Sequence, residues 1–468
     1  MLQVMDSLSK KVLRFKPLEK GVVKMYNCGP TVYGYVHIGN LRYFLFTDLL
    51  RRYLGFSGYA VTQIMNITDV GHMLADADEG EDKIEMRAKE EGKTPQEIAT
   101  FYTEAFFRDI DRLGIVHATH FSRASEHVPE MIAMIEKLLA NGHAYRVGHN
   151  VYYDVGSFKK YGKLSGNVIE GLEVGKRIDV REEKKHPADF ALWIHNPSHI
   201  MQWSAPWGSG YPGWHLECSA MAIKYLGETI DLHTGGEDHF FPHHECEIAQ
   251  SEGTTRKLFA RYWMHVRHLL VDGQKMSKSL GNGYRLDDLI AKGFTPQQVR
   301  YLLVSVHYRQ PMNFTFPALE SAVAACERLE IFAETVKSVE ARRGVRQAHA
   351  MRAKKAIVAA MDDDLNVSAA LAALFDYVRD VNEMIAQKKL TEGEKKGARE
   401  VMGMVNAIFG FTFGAEVEVP TSVKVLLEQR EMARKERRFV EADRLRNELK
   451  DLGWVIDDTP QGARLRRA

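Results

Sequence analysis

His37-Ile38-Gly39-Asn40 and Lys275-Met276-Ser277-Lys278-Ser279 are the residues of this chain best suited to handling phosphate. A histidine and an amide can donate hydrogen bonds to phosphate oxygens, and a glycine between them lets a ligand approach the backbone closely. The tetrapeptide opens a stretch with helical spacing, so backbone N–H groups and the helix dipole would add to the attraction for an anion. Lys275 and Lys278 would neutralise phosphate charge from a loop that Gly273 and Gly281 allow to move. A second set of residues suits a metal. Cys28 and Cys218 lie far apart in sequence, yet each would end near the top of the same expected sheet. His243 and Glu247 are four residues apart, which puts them on one face of a helix. Two thiolates, an imidazole and a carboxylate compose a zinc set.

The elements that must position these groups are legible nearby. Residues 22–27 read as a strand running into Cys28-Gly29-Pro30. Leu41, Phe44, Leu45, Leu49 and Arg52 recur at helical spacing up to Tyr53, and residues 59–65 read as a second strand. Strand, helix and strand at this spacing make a βαβ unit, hence a parallel, doubly wound sheet. Helices are expected at 95–113 and 128–141, followed by a short-stranded, Gly- and Trp-rich stretch from Ala144 to about Pro212. The α/β pattern returns with a helix near 215–226, a strand near 229–234 and a helix over 243–252. After Lys278 the pattern is almost wholly helical. A break from Gly410 to Pro420 precedes a charged helical segment and a hairpin around Thr459-Pro460-Gln461-Gly462.

Composition bounds the class. At 468 residues the chain exceeds one ordinary core. Its 45% hydrophobic and 27% charged content describes a soluble, folded protein. No apolar run approaches a membrane span, and the polar, basic first twenty residues lack a secretory h-region, so a cytoplasmic protein without membrane contact is expected. A net charge of +1 neither supports nor excludes a nucleic-acid partner. Four cysteines in so long a chain do not make a disulfide framework. Cys246 lies about 100° around the helix from Glu247 and is not read as a ligand; Cys326 falls in an apolar helical pattern and reads as packed.

Taken in order, the two phosphate motifs resemble the H-I-G-H and K-M-S-K-S pair of class I aminoacyl-tRNA synthetases. The cysteine just upstream narrows the resemblance to the cysteinyl-tRNA synthetase family. That family's metal pattern is matched by Cys28-Gly29-Pro30, Glu217-Cys218-Ser219-Ala220 and Pro242-His243-His244-Glu245-Cys246-Glu247. Its anticodon end is matched by Met361-Asp362-Asp363-Asp364-Leu365-Asn366, by Glu441-Ala442-Asp443-Arg444-Leu445-Arg446 and by Asp458-Thr459-Pro460-Gln461-Gly462. Departures are visible. Asn40 replaces a histidine, Thr234 replaces a glycine of H-G-G-G-x-D, and Cys246 stands where the family usually has Asn. An acidic insertion at 71–81 separates Asp69 from Asp82-Lys83-Ile84 and reads as solvated surface.

The resemblance implies activation of L-cysteine by ATP to cysteinyl-AMP, then transfer to tRNA(Cys). His37, Asn40, Lys275 and Lys278 would be catalytic. Gly39, Gly236, Asp238 and Lys278 would hold ATP, with Asp238 as the ribose acceptor and Mg2+ accompanying the nucleotide. Gly29, Thr68 and Trp214 would contact cysteine, Thr68 through the substrate amine; Trp214 could instead be a core residue. One Zn2+ would sit on Cys28, Cys218, His243 and Glu247. Four protein ligands favour a closed structural zinc by the usual rule, whereas the resemblance implies that the substrate sulfur joins as a further ligand. Arg430, Arg434, Lys435, Arg437, Arg438, Arg444 and Arg446, extended by Arg464, Arg466 and Arg467, could line an RNA-facing strip, and Trp454 could stack a base or anchor the hairpin.

The expected organisation is a Rossmann-type parallel-sheet catalytic domain in two halves, 1–120 and 213–270, around a connective insertion at 121–212. The lysine loop and stem-contact region at 271–315, a helical bundle at 316–412 and a small C-terminal α/β anticodon-binding domain at 413–468 follow. A monomer is expected. Two rivals stay open on sequence alone: a ligase joining cysteine to an amino sugar in mycothiol synthesis, and a non-catalytic zinc protein that binds tRNA.

Overall fold

The helix Ile38–Phe56 starts where the sequence motif does, because His37 and Asn40 cap it reciprocally. His37 Nδ1 accepts from Asn40 N–H at 3.3 Å, and Asn40 Oδ1 accepts from His37 N–H at 3.1 Å. Leu41, Phe44, Leu45, Leu49 and Tyr53 are buried along it. The computed structural model containing this helix describes residues 1–70, 82–167, 183–276, 281–415, 420–452, 454–459 and 462–467.

The strands on either side, Val22–Asn27 and Ala60–Ile67, pair in parallel from Val22↔Ala60 to Asn27↔Met65. They belong to a five-stranded sheet ordered Ala260–Val266, Ile230–Gly236, Val22–Asn27, Ala60–Ile67 and His120–Arg123. Each neighbouring pair is parallel. The chain winds outward from Val22–Asn27 in one direction and later returns on its other side, so a switch point lies between Val22–Asn27 and Ile230–Gly236. Ligands of open α/β sheets gather at such points, outside the strands' carboxyl ends. Cys28 is the residue that leaves the central strand there, its N–H bonded to Thr234 O at 3.2 Å.

Between the two halves of the sheet lies a second, antiparallel one built from Ala144–Val147, Asn150–Tyr153, Phe190–Ile194, Gly208–Pro212 and Trp203–Ala205. Tyr153 and Phe190 stack within it, and Tyr153 donates to Ala249 O, which fastens this sheet to the helix Glu245–Thr255.

After the lysine motif, helices Leu286–Ala291, Pro296–Ser305, Phe316–Ser338, Ala348–Asp362, Val367–Ala386 and Glu392–Phe409 follow. One strand interrupts the expected helical run: Met312–Phe314 pairs in parallel with Leu269–Val271. Three residues carry too little periodicity to announce a strand whose partner is distant in sequence. The helix Ile38–Phe56 is fixed to this region by buried Arg42, whose guanidinium donates to the carbonyls of Arg267, His268, His307 and Gln310. Farther along, Asp48 receives Arg300, which also donates to Leu113 O and Phe409 O.

The chain divides into two compact units, Met1–Phe411 and Thr412–Ala468. In the second, helices Thr421–Lys435 and Phe439–Asp451 precede an antiparallel hairpin, Trp454–Thr459 with Gly462–Arg467. Its core gathers Val423, Leu449, Trp454 and Ile456. Trp454 is therefore an anchor of the hairpin and has no face left for a base. Arg430 is likewise removed from the expected RNA-facing strip, since it is 3% exposed. Arg434, Lys435, Arg437, Arg438, Arg444 and Arg446 are exposed. Arg444 is held between Glu441 and Glu448, as a solvated salt-bridged helix would have it. The side chains of Arg464, Arg466 and Arg467 lie outside the described set.

Candidate active site and metal centre

The residues expected to hold a metal converge at the switch point. Cys28 leaves the central strand, Cys218 lies in the first turns of helix Trp214–Leu226, and Glu247 lies in helix Glu245–Thr255. His243 occupies the wider turn Phe240–His244 just before that helix, and the four-residue spacing still brings its Nε2 to 3.0 Å from Glu247 Oε1. One donor atom from each of Cys28, Cys218, His243 and Glu247 lies within 4.8 Å of all the others, and each residue is buried. A donor set of two sulfurs, one nitrogen and one oxygen at this spacing fits a tetrahedral zinc.

The four donors share protons among themselves. Burial alone would raise the Cys218 thiol, but a hydrogen bond from Cys28 and the nearby His243 charge bring it down to about 6. Burial, together with that same hydrogen bond, pushes Cys28 well up. Burial would also raise Glu247, yet His233 and His243 hold its carboxyl down at about 2. Burial works against the charged form of His243, and Glu247 and Cys218 outweigh it, raising the imidazole to about 10. The buried cluster thus holds two anions beside an imidazolium and a neutral thiol, and a bound cation would displace those two protons.

Several residues of this centre carried no expectation. His233 Nε2 lies 2.7 Å from Glu247 Oε2, and His215 Nδ1 lies 2.9 Å from His243 Nδ1, so each orients a donor from behind. His244 Nε2 lies 3.2 Å from Cys28 Sγ, and its Nδ1 meets His265 Nε2 at 2.8 Å. Cys28, His233, His244 and Glu247 consequently form a second, overlapping four-donor group. It shares two members with the first and offers one sulfur where the first offers two. The density of histidines between His233 and His244 was the available signal.

Of the amino-acid contacts expected, Trp214 stacks on His243 at 4.6 Å, beside the cluster. Thr68 follows strand Ala60–Ile67, and its backbone is tied to the segment after Cys28: its N–H donates to Pro30 O and its carbonyl accepts from Val32 N–H. Thr68 Oγ1 donates to Glu217 Oε2 at 2.8 Å. Gly29 packs so closely on Asn66 that a side chain would collide with the Asn66 carbonyl, and its N–H donates to Asn66 Oδ1 at 2.7 Å.

At the phosphate motifs, burial holds His37 below the ordinary imidazole value. Because Nδ1 accepts from Asn40 N–H, the neutral ring carries its proton on Nε2 and presents a donor there. Asn40 Oδ1 is committed to His37, which leaves the amide Nδ2 as its donor. Met276 lies over Gly39, where any side chain would meet its terminal methyl, and Ile38 N–H donates to Tyr284 O at 2.9 Å. The two motifs are therefore in contact. Lys275 is exposed at the end of the short strand Gln274–Lys275; Lys278 and the insertion at 71–81 lie outside the described residues. Gly236 ends strand Ile230–Gly236 with Asp238 exposed just beyond it. Thr234 is accommodated because it is a strand residue: buried, its Oγ1 accepts from Asn27 Nδ2 at 2.6 Å. Cys246 is buried near Tyr161 and outside both donor groups, and Cys326 is packed in helix Phe316–Ser338.

The sequence matches the description "tRNA synthetases class I (C) catalytic domain" over residues 14–324, "DALR domain" over 356–414 and "Cysteinyl-tRNA ligase anticodon binding domain" over 416–466. The chain belongs to the cysteinyl-tRNA synthetase family. Relatives of the family named cysteine–tRNA ligase include those of Chlorobaculum tepidum, 42% identical over 99% of this chain and 98% of the relative, and Carboxydothermus hydrogenoformans, 43% identical over the whole of both. One from Thermus thermophilus is 43% identical over 99% of each. A Mycobacterium tuberculosis methionyl-tRNA synthetase superposes with a TM-score of 0.62 at 14% identity, covering 84% of this chain and 92% of that one. That likeness establishes the class I synthetase fold.

Proposed function

We propose that this protein is an ATP-dependent cysteine–tRNA ligase, which activates L-cysteine to cysteinyl-AMP and transfers it to the 3′ end of tRNA(Cys). The observation that carries the reading is the buried Cys28–Cys218–His243–Glu247 group at the switch point of the sheet. In the first step the substrate carboxylate attacks the α-phosphorus of ATP and pyrophosphate leaves; Mg2+ would accompany the nucleotide and help to neutralise its phosphates. No protein nucleophile is needed, so the chain's task is orientation and charge stabilisation. His37 Nε2–H and the Asn40 amide donate to phosphate oxygens, Lys275 and Lys278 balance the departing pyrophosphate, and Gly236 and Asp238 receive the nucleoside.

Cys28, Cys218, His243 and Glu247 would hold zinc, which supplies a Lewis acid that favours a thiolate and so a sulfur side chain over a hydroxyl. The two-sulfur group is preferred over the overlapping one because a borderline-soft ion favours thiolates. His233 and His215 act as positioning residues for Glu247 and His243. Discrimination against serine and alanine then follows from unmet coordination rather than from the size of a pocket.

The tRNA partner is supported by the match of 416–466 to an anticodon-binding domain and by the exposed arginines there. The same segment disfavours the amino-sugar ligase. No helix among the described residues is long and apolar enough to cross a membrane, and we assign the protein to the cytoplasm as a monomer. The domain limits set out from sequence are retained as part of this proposal.

The test is an amino-acid screen of ATP–pyrophosphate exchange with bound-metal analysis, followed by charging of tRNA(Cys) against an amino-sugar acceptor. Cysteine-dependent exchange, one zinc per chain and tRNA charging are expected, with exchange crippled in Cys28→Ser. Near-normal exchange by protein refolded with a chelator would remove the metal from the mechanism.

A further inference from the structure

The phosphate motifs address ATP, and the sulfur-bearing cluster addresses the side chain. An amino acid also carries an ammonium group, and its receptor must lie close to the sulfur receptor, since N, Cα, Cβ and S are consecutive atoms of cysteine. Glu217, the residue before Cys218, meets that requirement, since its carboxyl lies within electrostatic reach of both Cys218 and His243. Glu217 is fully buried, and only one of its oxygens is engaged: Oε2 accepts from Thr68 Oγ1 at 2.8 Å, while Oε1 has no hydrogen-bond partner among the described residues. Leaving a buried acceptor unsatisfied is costly, and more so for a charged group, which calls for a compensating ligand.

The hydrogen-bond polarity around Thr68 says what kind of ligand. Its single hydroxyl proton goes to Glu217, and one lone pair accepts from Asn66 Nδ2 at 2.9 Å. Asn66 is itself oriented by Gly29 N–H on its Oδ1. The relay from Gly29 through Asn66 and Thr68 to Glu217 therefore runs in one direction, and toward any further partner Thr68 can only accept. An acceptor hydroxyl beside a carboxylate oxygen lacking a donor suits a group that brings several N–H donors and a positive charge.

We propose that Glu217 is the charge partner of the incoming amino acid's α-ammonium group and fixes Thr68 as its second acceptor. The pair makes the site select amino acids over thiols without an amine. The inference rests on the cysteine-activating reading above and adds Glu217 to it.

The experiment uses full-length, zinc-loaded protein and compares the KM for cysteine with the inhibition constant of 3-mercaptopropionate, cysteine without its amine, in ATP–pyrophosphate exchange. Wild type should favour cysteine by about 10-fold or more. In Glu217→Gln the cysteine KM should rise by about that factor while 3-mercaptopropionate inhibits as before, so the preference collapses. Zinc content and the KM for ATP should not move. A merely structural role would weaken both thiols alike. If Glu217→Gln does not fold, Thr68→Val must lose the same preference and Thr68→Ser must keep it. Retained preference in a zinc-loaded Glu217→Gln or Thr68→Val variant overturns the inference alone. A wild type that activates no cysteine overturns the underlying reading and this inference with it.

Discussion

Replacing Gly29 with alanine probes whether the strand end that carries Cys28 must sit where it does. An ideal Cβ on Gly29 falls 1.7 Å from the carbonyl oxygen of Asn66, and real Cβ contacts essentially never come under 3.0 Å. The two segments must part by 1.3 Å to reach even that limit, the difference of those two distances. Neither is free to yield. Cys28 N–H is bonded to Thr234 O, Gly29 N–H to Asn66 Oδ1, and Thr68 N–H to Pro30 O. Overpacking of this kind costs about 1–3 kcal/mol of stability. The functional cost is larger. A zinc–sulfur bond is about 2.3 Å long, so a displacement of more than half that length takes Cys28 out of the donor set or drags the set with it. A misplacement of about 1 Å lowers a rate by roughly 100-fold, and a loss of that order is expected in cysteine-dependent ATP–pyrophosphate exchange. The assay pairs exchange with zinc stoichiometry and a melting curve, so that a folded, impaired enzyme is told from an unfolded one. Gly29→Ala with full zinc and exchange within about twofold of wild type would refute the reasoning.

Three further outcomes are expected. Burial, with Asp287 nearby, pushes the Asp109 carboxyl up to about 6, so the native state binds its proton more tightly than the unfolded chain. Stability therefore falls as pH rises from the unfolded value near 4 through about 6, and Asp109→Asn should gain up to about 3 kcal/mol at pH 7 with no gain below pH 4; urea unfolding at both pH values checks this. Arg300→Met strands Asp48 and two backbone carbonyls in the interior and should cost about 3–5 kcal/mol in urea unfolding; a loss under about 1 kcal/mol would show that Arg52 and Val116 N–H suffice for Asp48. Lys435→Ala with Arg446→Ala should raise the KM for tRNA and flatten its salt dependence by about one unit of slope for each phosphate no longer neutralised, with pyrophosphate exchange unchanged; an unaltered KM would take those residues off the RNA-facing strip.

Sequence reading succeeded where one local signal sufficed. The spacing of Leu41, Phe44, Leu45 and Leu49 locates a helix, and the flanking apolar runs locate its parallel strands. The grouping of the four donors was also accessible, because Cys28 leaves a strand end and the four-residue spacing of His243 and Glu247 brings that pair together. What was not accessible depends on partners brought together only by the fold. Nothing in the spacing says that His233 would turn toward Glu247, or that Glu217 would meet Thr68, 149 positions away in the chain. The strand Met312–Phe314 exists because Leu269–Val271 lies beside it. Arg430 was misread because charge on a short, polar segment suggests exposure, whereas the hairpin anchor was one of the two readings open for Trp454. A unit of this size must nonetheless bury something, and it buries these.

Depth has a consequence for how the centre is assembled. Cys28, Cys218, His243 and Glu247 are each 3% exposed or less. Zinc held there as proposed would exchange only through the same opening that admits the substrate thiol. It would leave at the pace of that local opening rather than that of ligand exchange in water. Scarcity of the metal while the chain folds would then matter more than the same scarcity afterwards.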